Sequence, residues 1–359
     1  MTPGLWPLTR YFLRLGALGF GGPIALVGYM QRDLVERRGW VSKEEFADGL
    51  AFAQLAPGPL AAQLAIYLGW VRHGFFGATL AGVAFVAPSF LIVVVLSALY
   101  VRFGGLAWIR GAFYGIAAAV IAVIARSTAR LVPMTLGRDR VLWIVFAINT
   151  VVVAWTEREL VSVILASGLV ILAWRGLAPV RAAAFAVAPW DLLWYFIKAG
   201  AVVFGSGLAI LPYLYGGVVE QYGWLNDQQF LDAVAVSMIT PGPVVITVAF
   251  IGYLTAGSVG AFAAAVGVFL PVYLAVVLGA QWFQRVKSNV RVKAFVHGIT
   301  AAATGAIAGA AIVLARRAIV DLPTLAIALV ALGLLYKARW IPEPALMLAA
   351  GVVGVVIAG

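Results

Sequence analysis

The sequence predicts an all-α polytopic membrane protein built from two homologous halves that form an inverted repeat. Three observations support this prediction: apolar segments of membrane length along the whole chain, an internal repeat, and an opposite distribution of basic residues in the loops of the two halves. Of the 359 residues, 64% are hydrophobic and 11% are charged. A soluble domain carries roughly a quarter charged residues, so this chain has too little polar surface to face water on all sides.

Charge and composition exclude several functional classes. The net charge of +11 suits cytoplasmic loops of a membrane protein better than nucleic-acid binding, and it would also attract an anion. The chain has no cysteine, and its two histidines, His73 and His297, stand in no metal-binding motif. No phosphate loop, nucleophile elbow or zinc-protease motif is present. We therefore expect no enzyme activity, no cofactor and no metal.

An internal repeat covers nearly the whole chain. The stretch FLRLGALGFGGP at 12–23 aligns with FIKAGAVVFGSG at 196–207, and the alignment continues through a Gly-Trp pair to a Pro-Gly-Pro triplet in each half. Chance similarity between apolar segments would match Leu, Val and Ala rather than glycine, proline and acidic positions, so we infer a duplication. The predicted domains are 1–180 and 181–359, joined by the stretch 175–190.

Each half is predicted to contain six helical segments, of which the first two are interrupted by Gly or Pro. The segments of the first half are 8–30, 44–70, 75–101, 106–126, 141–156 and 159–175. Those of the second half are 192–214, 228–254, 258–284, 290–309, 322–337 and 342–358.

Basic residues are distributed oppositely in the loops of the two halves. The loop 31–45 contains four Lys or Arg residues, whereas its counterpart 215–229 contains none. After the third segment the bias reverses, because basic residues crowd 285–293 in the second half. Basic loops favour the cytoplasmic side, which predicts inverted halves with 31–45 and 285–293 inside. Inversion needs an odd number of crossings, hence about five spans per half and a Pro-Gly-Pro segment that enters and returns.

The interrupted helices indicate a binding function. Proline lacks an amide donor and clashes with the preceding helical turn, and a broken helix in hydrocarbon exposes costly backbone groups. Transporters with inverted repeats use such breaks, because substrates bind where half-helix ends meet. A helix that begins after Pro59 or Pro243 directs its free amides at the break, which suits an anion. The alternative is that the breaks are kinks required by packing.

The predicted anion site combines residues from all four breaks. Arg14 and Lys198 would supply positive charge, unless their side chains extend to the membrane surface. Glycine allows the backbone to approach a ligand closely. The other predicted substrate-binding residues are Gly21, Gly22, Gly58, Leu60, Gln63, Gly205, Ser206, Gly242, Val244 and Thr247, with Gln54, Ser237 and Thr240 as further polar side chains nearby.

Four acidic residues occupy matched positions in the two halves. Glu36 and Glu220 precede the Gly-Trp pairs, and Asp48 and Asp232 begin the Pro-Gly-Pro segments. An acid at a helix start is commonly a cap or a partner of the helix dipole. Proton coupling is the alternative role for these four residues.

In combination, these motifs resemble the chromate ion transporter (CHR) family in its two-domain form. FGGP, a Gly-Trp loop, Pro-Gly-Pro, a Gly-rich turn and a Pro-ended apolar run are duplicated, and the resemblance covers nearly the whole chain. The second half has FGSG instead of FGGP, so symmetric substrate contacts are in doubt. The resemblance implies a multi-pass inner-membrane protein that exports chromate, confers chromate resistance and is coupled to an ion gradient.

The expected partners are therefore an oxyanion, the lipid bilayer and a coupling proton or other ion, without nucleic acid. Sulfate is an alternative substrate, because sulfate and chromate are both tetrahedral dianions. An anion channel would need a continuous polar lining, and a membrane enzyme would need a nucleophile–base pair or a metal site. The sequence leaves open the transport direction, the coupling ion and the oligomeric state, including a homodimer.

Overall fold

The computed structural model is almost entirely helical over the residues that it describes. These residues are 3–20, 22–104, 106–156, 161–174, 191–202, 204–205, 208, 210–286, 289–338 and 341–358. The first half contains α1 (Leu5–Leu18), α2 (Gly22–Met30) with a π-helical continuation (Gln31–Arg37), α3 (Lys43–Leu55), β1 (Gly58–Pro59), α4 (Leu60–Phe103), α5 (Ala107–Leu136), α6 (Arg140–Thr156) and α7 (Val161–Trp174).

The second half repeats this order of elements. It contains α8 (Asp191–Val202), β2 (Phe204–Gly205), α9 (Ile210–Tyr215) with a π-helical continuation (Gly216–Gln221), α10 (Asp227–Ile239), a 3-10 turn (Val244–Ile246), α11 (Thr247–Val286), α12 (Val290–Ala318), α13 (Leu322–Lys337) and α14 (Glu343–Ala358). The predicted two-half, all-α architecture is therefore confirmed.

Four helices in the described part of the chain are long and apolar enough to cross a membrane. They are Leu60–Phe103, Ala107–Leu136, Val244–Phe283 and Val290–Ala318, and shorter apolar helices accompany them. The second of these, α5, continues to Leu136, whereas the sequence predicted that this segment ends at 126. The added turns carry Arg130.

Helix α4 is interrupted and folds back on itself. His73 has non-helical dihedrals, and Gly74 adopts φ +57°, in the left-handed region that favours glycine. The two parts of the helix, residues 60–72 (α4a) and 75–103 (α4b), pack so closely that a Cβ on Gly69 would overlap the backbone of Gly77. Helix α11 has the equivalent break at Ala256 and Gly257, so its parts are residues 247–255 (α11a) and 258–286 (α11b).

The first Pro-Gly-Pro triplet lies at the tip of a helical hairpin. Helices α3 and α4a run antiparallel, because Glu45 near the start of α3 pairs with Arg72 at the end of α4a. Closer to the tip, the rings of Phe52 and Tyr67 stack at 5.7 Å between centroids. A capping box at Ser42 fixes the start of α3. The segment therefore enters and returns, as the loop charges predicted.

The glycine break of the first half is the tip of a second hairpin. Gly19 lies against the side chain of Leu26, which is on α2. Farther from the tip, the guanidinium of Arg38 lies 5.4 Å from the ring centre of Tyr11 on α1. Gly22 adopts φ +72° where the chain reverses direction. Each half thus begins with breaks that bring helix ends into the interior of the protein.

Equivalent helices of the two halves run in opposite directions, which confirms the inverted repeat. On α4b, Thr79 lies near the start, and its hydroxyl is 2.6 Å from the hydroxyl of Tyr273 on α11b. Farther along α4b, Phe90 packs against Phe262, which precedes Tyr273 in the chain, at 6.5 Å between ring centroids. Because the contacts advance along α4b while they retreat along α11b, the two helices are antiparallel.

The last helices of each half pack against the other half. Gly305 of α12 lies against the backbone of Phe146 in α6, and Gly115 of α5 lies against the backbone of Ala350 in α14. Glycine is needed at these contacts because a Cβ would overlap the facing carbonyl group. Helices α5 and α12 consequently lie between elements of both halves and form a wall beside the hairpin tips.

Candidate functional site

The four breaks meet in the middle of the protein, and each contacts a break of the opposite half. Gly58 and Pro59 form a short parallel pairing with Phe204 and Gly205. The amide of Gly242 donates a hydrogen bond of 2.9 Å to the carbonyl oxygen of Gly19. Each Pro-Gly-Pro turn is therefore joined to the glycine break of the other half, a crossed arrangement that the repeat alone does not specify.

Glycine is required at the centre of both Pro-Gly-Pro turns. Gly58 has φ +139° and Gly242 has φ +95°, which L-residues with side chains rarely adopt. The hydrogen of Gly242 also faces Ser89, whose hydroxyl donates to the carbonyl oxygen of Gly16 at 3.3 Å. In the first half, Gln63 is fully buried and donates a hydrogen bond of 2.7 Å to the carbonyl oxygen of Pro57. These contacts hold the turns in shape.

A cavity of about 520 Å³ lies beside the breaks. Its wall includes Leu60 and Val244, the first residues of the helical turns that follow the two Pro-Gly-Pro triplets, together with Gly242. Neither turn has a side-chain cap, since Pro59 and Pro243 occupy the cap positions. First-turn amides lack partners within their own helix, so the cavity is bordered by two partly positive helix starts.

Three hydroxyl groups in the cavity wall are already engaged by backbone carbonyls. Ser237 donates to Val234 at 2.7 Å, and Thr304 donates to the carbonyl of Thr300 at 2.8 Å. The Thr240 hydroxyl donates a hydrogen bond of 2.7 Å to the carbonyl oxygen of Val236. A hydroxyl that donates to its own helix has no proton left for an anion. These three hydroxyls therefore offer no proton to an anion, which leaves backbone amides, basic side chains and the hydroxyls of Ser127 and Thr135 in the same wall.

Basic side chains come from the last turns of α5. Arg130 lines the cavity and makes no hydrogen bond or ion pair with any residue that the structure describes. Arg126, four residues earlier on the same face of the helix, is buried, and its Nη1 lies 3.5 Å from Oε1 of Glu343. Arg138, Asp139 and His297 lie nearer the cavity entrance, where α5 ends and α12 begins.

The structure brings part of the predicted anion site together. Gly22, Leu60, Gly242 and Val244 line the cavity, and so do Gln54, Ser237 and Thr240. Gly205, Gly58, Gln63 and Thr247 are at the breaks but do not line it. Gly205 pairs with Pro59, and the Thr247 hydroxyl donates to the carbonyl of Val244 at 2.7 Å. Gly21 and Ser206 lie outside the described residues.

Arg14 and Lys198, the two basic residues predicted for the site, lie outside the cavity wall. Arg14 is exposed on α1, on the face opposite the buried side chains of Phe12 and Leu15, and it does not line the cavity. Lys198 is half-buried on α8 and is also absent from the cavity wall. The periodicity of α1 explains the position of Arg14, since the buried face is already occupied by large apolar side chains.

The acidic residues differ strongly in their surroundings. Glu36 is exposed on the π-helical turn after α2, and Glu220 and Asp48 are half-buried outside the cavity. Asp232 is only 3% exposed. Its carboxylate accepts hydrogen bonds from the Tyr100 hydroxyl at 2.6 Å and from Gln228 at 2.9 Å. Within the described residues, no basic side chain pairs with it.

Asp232 faces a second cavity of about 470 Å³. This cavity lies where α5 begins and α12 ends, the reverse of the first cavity. The two cavities are related by the repeat, because equivalent positions line both. Pairs of this kind are His297 and Tyr114, Thr300 and Ala117, Met134 and Arg317, and Thr135 and Ala318.

Sequence reasoning missed Arg126, Arg130 and Glu343. A signal for the arginines was present, because two basic residues in the apolar run that forms α5 are expensive in a membrane and indicate function by default. The search for matched residues concealed them, since Arg126 and Arg130 align with Gly309 and Val313 in the second half. Glu343 follows a proline and begins a helix, so it resembles an ordinary helix-start acid.

Comparison with known proteins identifies the family of the chain. A family model described as chromate transporter matches residues 6–172 and 190–355. The chain is 53% identical to the chromate transport protein of Cupriavidus metallidurans, over 99% of this chain and 94% of that protein. It is 52% identical to the probable chromate transport protein of Synechococcus elongatus, over 97% and 94% of the two chains. The chromate transport protein of Pseudomonas aeruginosa is 34% identical, over 96% and 90%.

No solved structure matches the chain. The sequence relationships nevertheless extend over both halves and include both pairs of breaks, so the resemblance inferred from the motifs is confirmed. The chain belongs to the chromate transporter family.

Proposed function

We propose that this protein is a secondary transporter that exports chromate across the inner membrane by alternating access and so confers chromate resistance. The observation that carries the proposal is the cavity in which two uncapped helix starts, at Leu60 and Val244, face the same space as Arg130. The names of the relatives from Cupriavidus metallidurans and Pseudomonas aeruginosa supply the substrate.

Charge and geometry in the cavity suit a tetrahedral dianion. Backbone amides at a helix start bind oxyanions without a base for every negative charge. Arg130 adds a full positive charge and planar donors that match two oxygens of an oxyanion. Because the hydroxyls of Ser237 and Thr240 donate to their own helices, selectivity would rest on charge and size. Sulfate should therefore compete with chromate.

The position of the cavity entrance supports export. The entrance lies beside Arg138 at the end of α5 and His297 in the first turns of α12. The predicted cytoplasmic segment 285–293 joins the start of α12. An exporter must load from the cytoplasm, and a cavity open on this side provides the loading state.

The second cavity supports alternating access. It is related to the first by the inverted repeat but does not reach the breaks, because its lining ends at Tyr100 and Asp232. If each half adopted the conformation that the other half has now, the first cavity would close and the second would extend towards the bound anion. Asp232 is the acid that we propose for proton coupling, since it is buried and held by neutral donors.

Flux measurements on proteoliposomes test this proposal. Chromate uptake into vesicles should saturate, respond to an imposed pH gradient and be inhibited by sulfate. Arg130→Gln should raise the half-saturation concentration about tenfold or more, as expected for loss of one charged hydrogen-bond donor. Arg14→Gln is the matched control, because Arg14 is outside the cavity, and it should transport like the wild type.

Two results would contradict the proposal. Flux that rises linearly with chromate concentration without saturation would indicate a channel rather than a transporter. Equal half-saturation concentrations for Arg130→Gln and the wild type would exclude the α5 arginine from the substrate site.

A further inference from the structure

A carboxylate lies in the wall of the cavity that is proposed to hold an anion. Glu343 is the first residue of α14, and its side chain is 22% exposed. It lines the same cavity as Arg130, and its Oε1 is 3.5 Å from Nη1 of Arg126. An anion site that contains its own negative charge requires a physical reason, because like charges in a partly desolvated space repel strongly.

The other charged groups around the cavity do not supply that reason. Asp139 also lines the cavity, but its Oδ1 accepts a hydrogen bond of 2.9 Å from the amide of Val141 and so caps the start of α6. Arg138 and His297 are exposed near the entrance. Glu343 is the cavity carboxylate for which the structure gives a contact with a guanidinium of α5.

We propose that Glu343 is an internal counter-ion that competes with the transported oxyanion for Arg126 and Arg130. This inference rests on the proposed function of the cavity. In the empty state, Glu343 partly neutralises the two arginines, which would otherwise hold a dianion too tightly for rapid release. When the anion enters, it approaches Arg130, which lines the cavity, against the repulsion of Glu343, and Arg126 acts on it from behind the wall. The carboxylate thereby lowers affinity and speeds release, which a carrier needs for turnover.

A purely structural role for Glu343 predicts a different outcome. If the ion pair with Arg126 only joined α14 to α5, its removal would take a partner from a buried charge and lower stability, without a gain in affinity. The counter-ion role predicts tighter anion binding from the same substitution. The direction of the change in affinity therefore separates the two roles.

Calorimetric titration of the purified full-length protein with sulfate and with chromate tests the inference. Glu343→Gln should lower the dissociation constant for both anions about tenfold, because one repelling charge is removed from a partly screened site. In proteoliposomes the same variant should show a lower half-saturation concentration and a lower maximal rate. Glu36→Gln is the matched control, since it removes an exposed carboxylate outside the cavity, and it should bind like the wild type.

A pH series with sulfate provides a readout that a structural role would not change. Sulfate keeps both charges between about pH 5 and pH 8, so changes in its affinity report on the protein. Wild-type affinity should rise as the pH falls, because protonation neutralises Glu343, and this rise should be smaller in Glu343→Gln. His297 is the histidine that lines the same cavity, so His297→Asn is measured in parallel and should keep most of the rise.

The outcomes distinguish this inference from the proposed function. If Glu343→Gln binds sulfate with unchanged or weaker affinity while Arg130→Gln loses binding, the cavity is the anion site but the counter-ion role is wrong. If neither substitution changes binding, the proposed site itself is wrong. Should Glu343→Gln not fold, the pH series on the wild-type protein and on His297→Asn keeps the inference testable, because sulfate affinity that does not rise as the pH falls would overturn it.

Discussion

Substitution of Gly242 by alanine tests whether the second Pro-Gly-Pro turn forms part of the binding site. Gly242 lines the cavity, and its amide bonds to the carbonyl oxygen of Gly19 in the other half. An alanine side chain there has two costs. The backbone would have to hold φ +95°, and the new methyl group would overlap the hydroxyl of Ser89 and lie 3.1 Å from its Cβ.

The two costs can be added approximately. A left-handed dihedral costs about 1–2 kcal/mol for a residue with a Cβ, and overpacking a tight site costs about 1–3 kcal/mol. We therefore expect Gly242→Ala to lose about 2–5 kcal/mol of stability unless the turn shifts. If the turn shifts, the hydrogen bond to Gly19 breaks and the helix start at Val244 turns away from the cavity. Transport should fall in either case.

The assays are thermal unfolding of the purified protein, with and without sulfate, and chromate flux in proteoliposomes. Gly242→Ala combined with Ser89→Ala should recover the steric part of the loss but not the dihedral part. Gly22→Ala isolates the dihedral cost, because Gly22 has φ +72° and open space around it. Gly333→Ala, in an exposed helix of the second half, should be neutral or slightly stabilising. Wild-type stability and flux for Gly242→Ala would refute the reasoning.

Three further predictions concern topology, coupling and the hairpin tip. Cysteines at Ser42 and Asn226, matched N-cap positions in a cysteine-free chain, should differ in labelling by an impermeant thiol reagent on intact cells, and equal labelling would contradict inversion. Asp232→Asn should abolish the response of chromate flux to a pH gradient while Asp48→Asn retains it, and a preserved response in Asp232→Asn would assign coupling elsewhere. Ala-Ala-Ala at 57–59 should lower the unfolding temperature rather than create one continuous helix, because α3 and α4a are antiparallel partners; a more stable variant would show that the turn is not needed for this pairing.

The positions of the breaks could be predicted because proline and glycine restrict the backbone whatever surrounds them. Single prolines such as Pro88 and Pro133 lie inside helices of this chain, but Pro57 and Pro59 flank a glycine and remove two amide donors from one turn, so the interruption could be predicted from the triplet. The contacts between breaks could not be predicted. Gly58 pairs with Phe204, and Gly242 bonds to Gly19, so each partner comes from the other half. Such pairings depend on how the halves pack, which periodicity and spacing do not report.

The sequence predicted Arg14 and Lys198 as the basic residues of the site, but the structure places Arg130 in the cavity wall. Comparison of the halves favours residues that match, and Arg14 with Lys198 is such a pair. Arg126 and Arg130 align with Gly309 and Val313, and of the two arginines Arg130 lines the cavity. Duplication preserved the backbone breaks in both halves because they form the hairpin tips. It did not preserve charge, since a cavity shared by two halves needs its basic residues only once.

This asymmetry has a consequence for the proposed transport cycle. The two cavities are equivalent in backbone, but His297, Thr300 and Met134 in one correspond to Tyr114, Ala117 and Arg317 in the other. If the halves exchange arrangements, the anion leaves a surface of helix starts and Arg130 for one bordered by Tyr100 and Asp232. Arg110 and Arg317 also line the second cavity, so Asp232 would offset their attraction for a dianion, and protonation of Asp232 would change that balance as the cavity opens. In the proposed cycle, a buried carboxylate beside the second cavity and a paired carboxylate beside the first would give the two faces of the fold different affinities for the same anion.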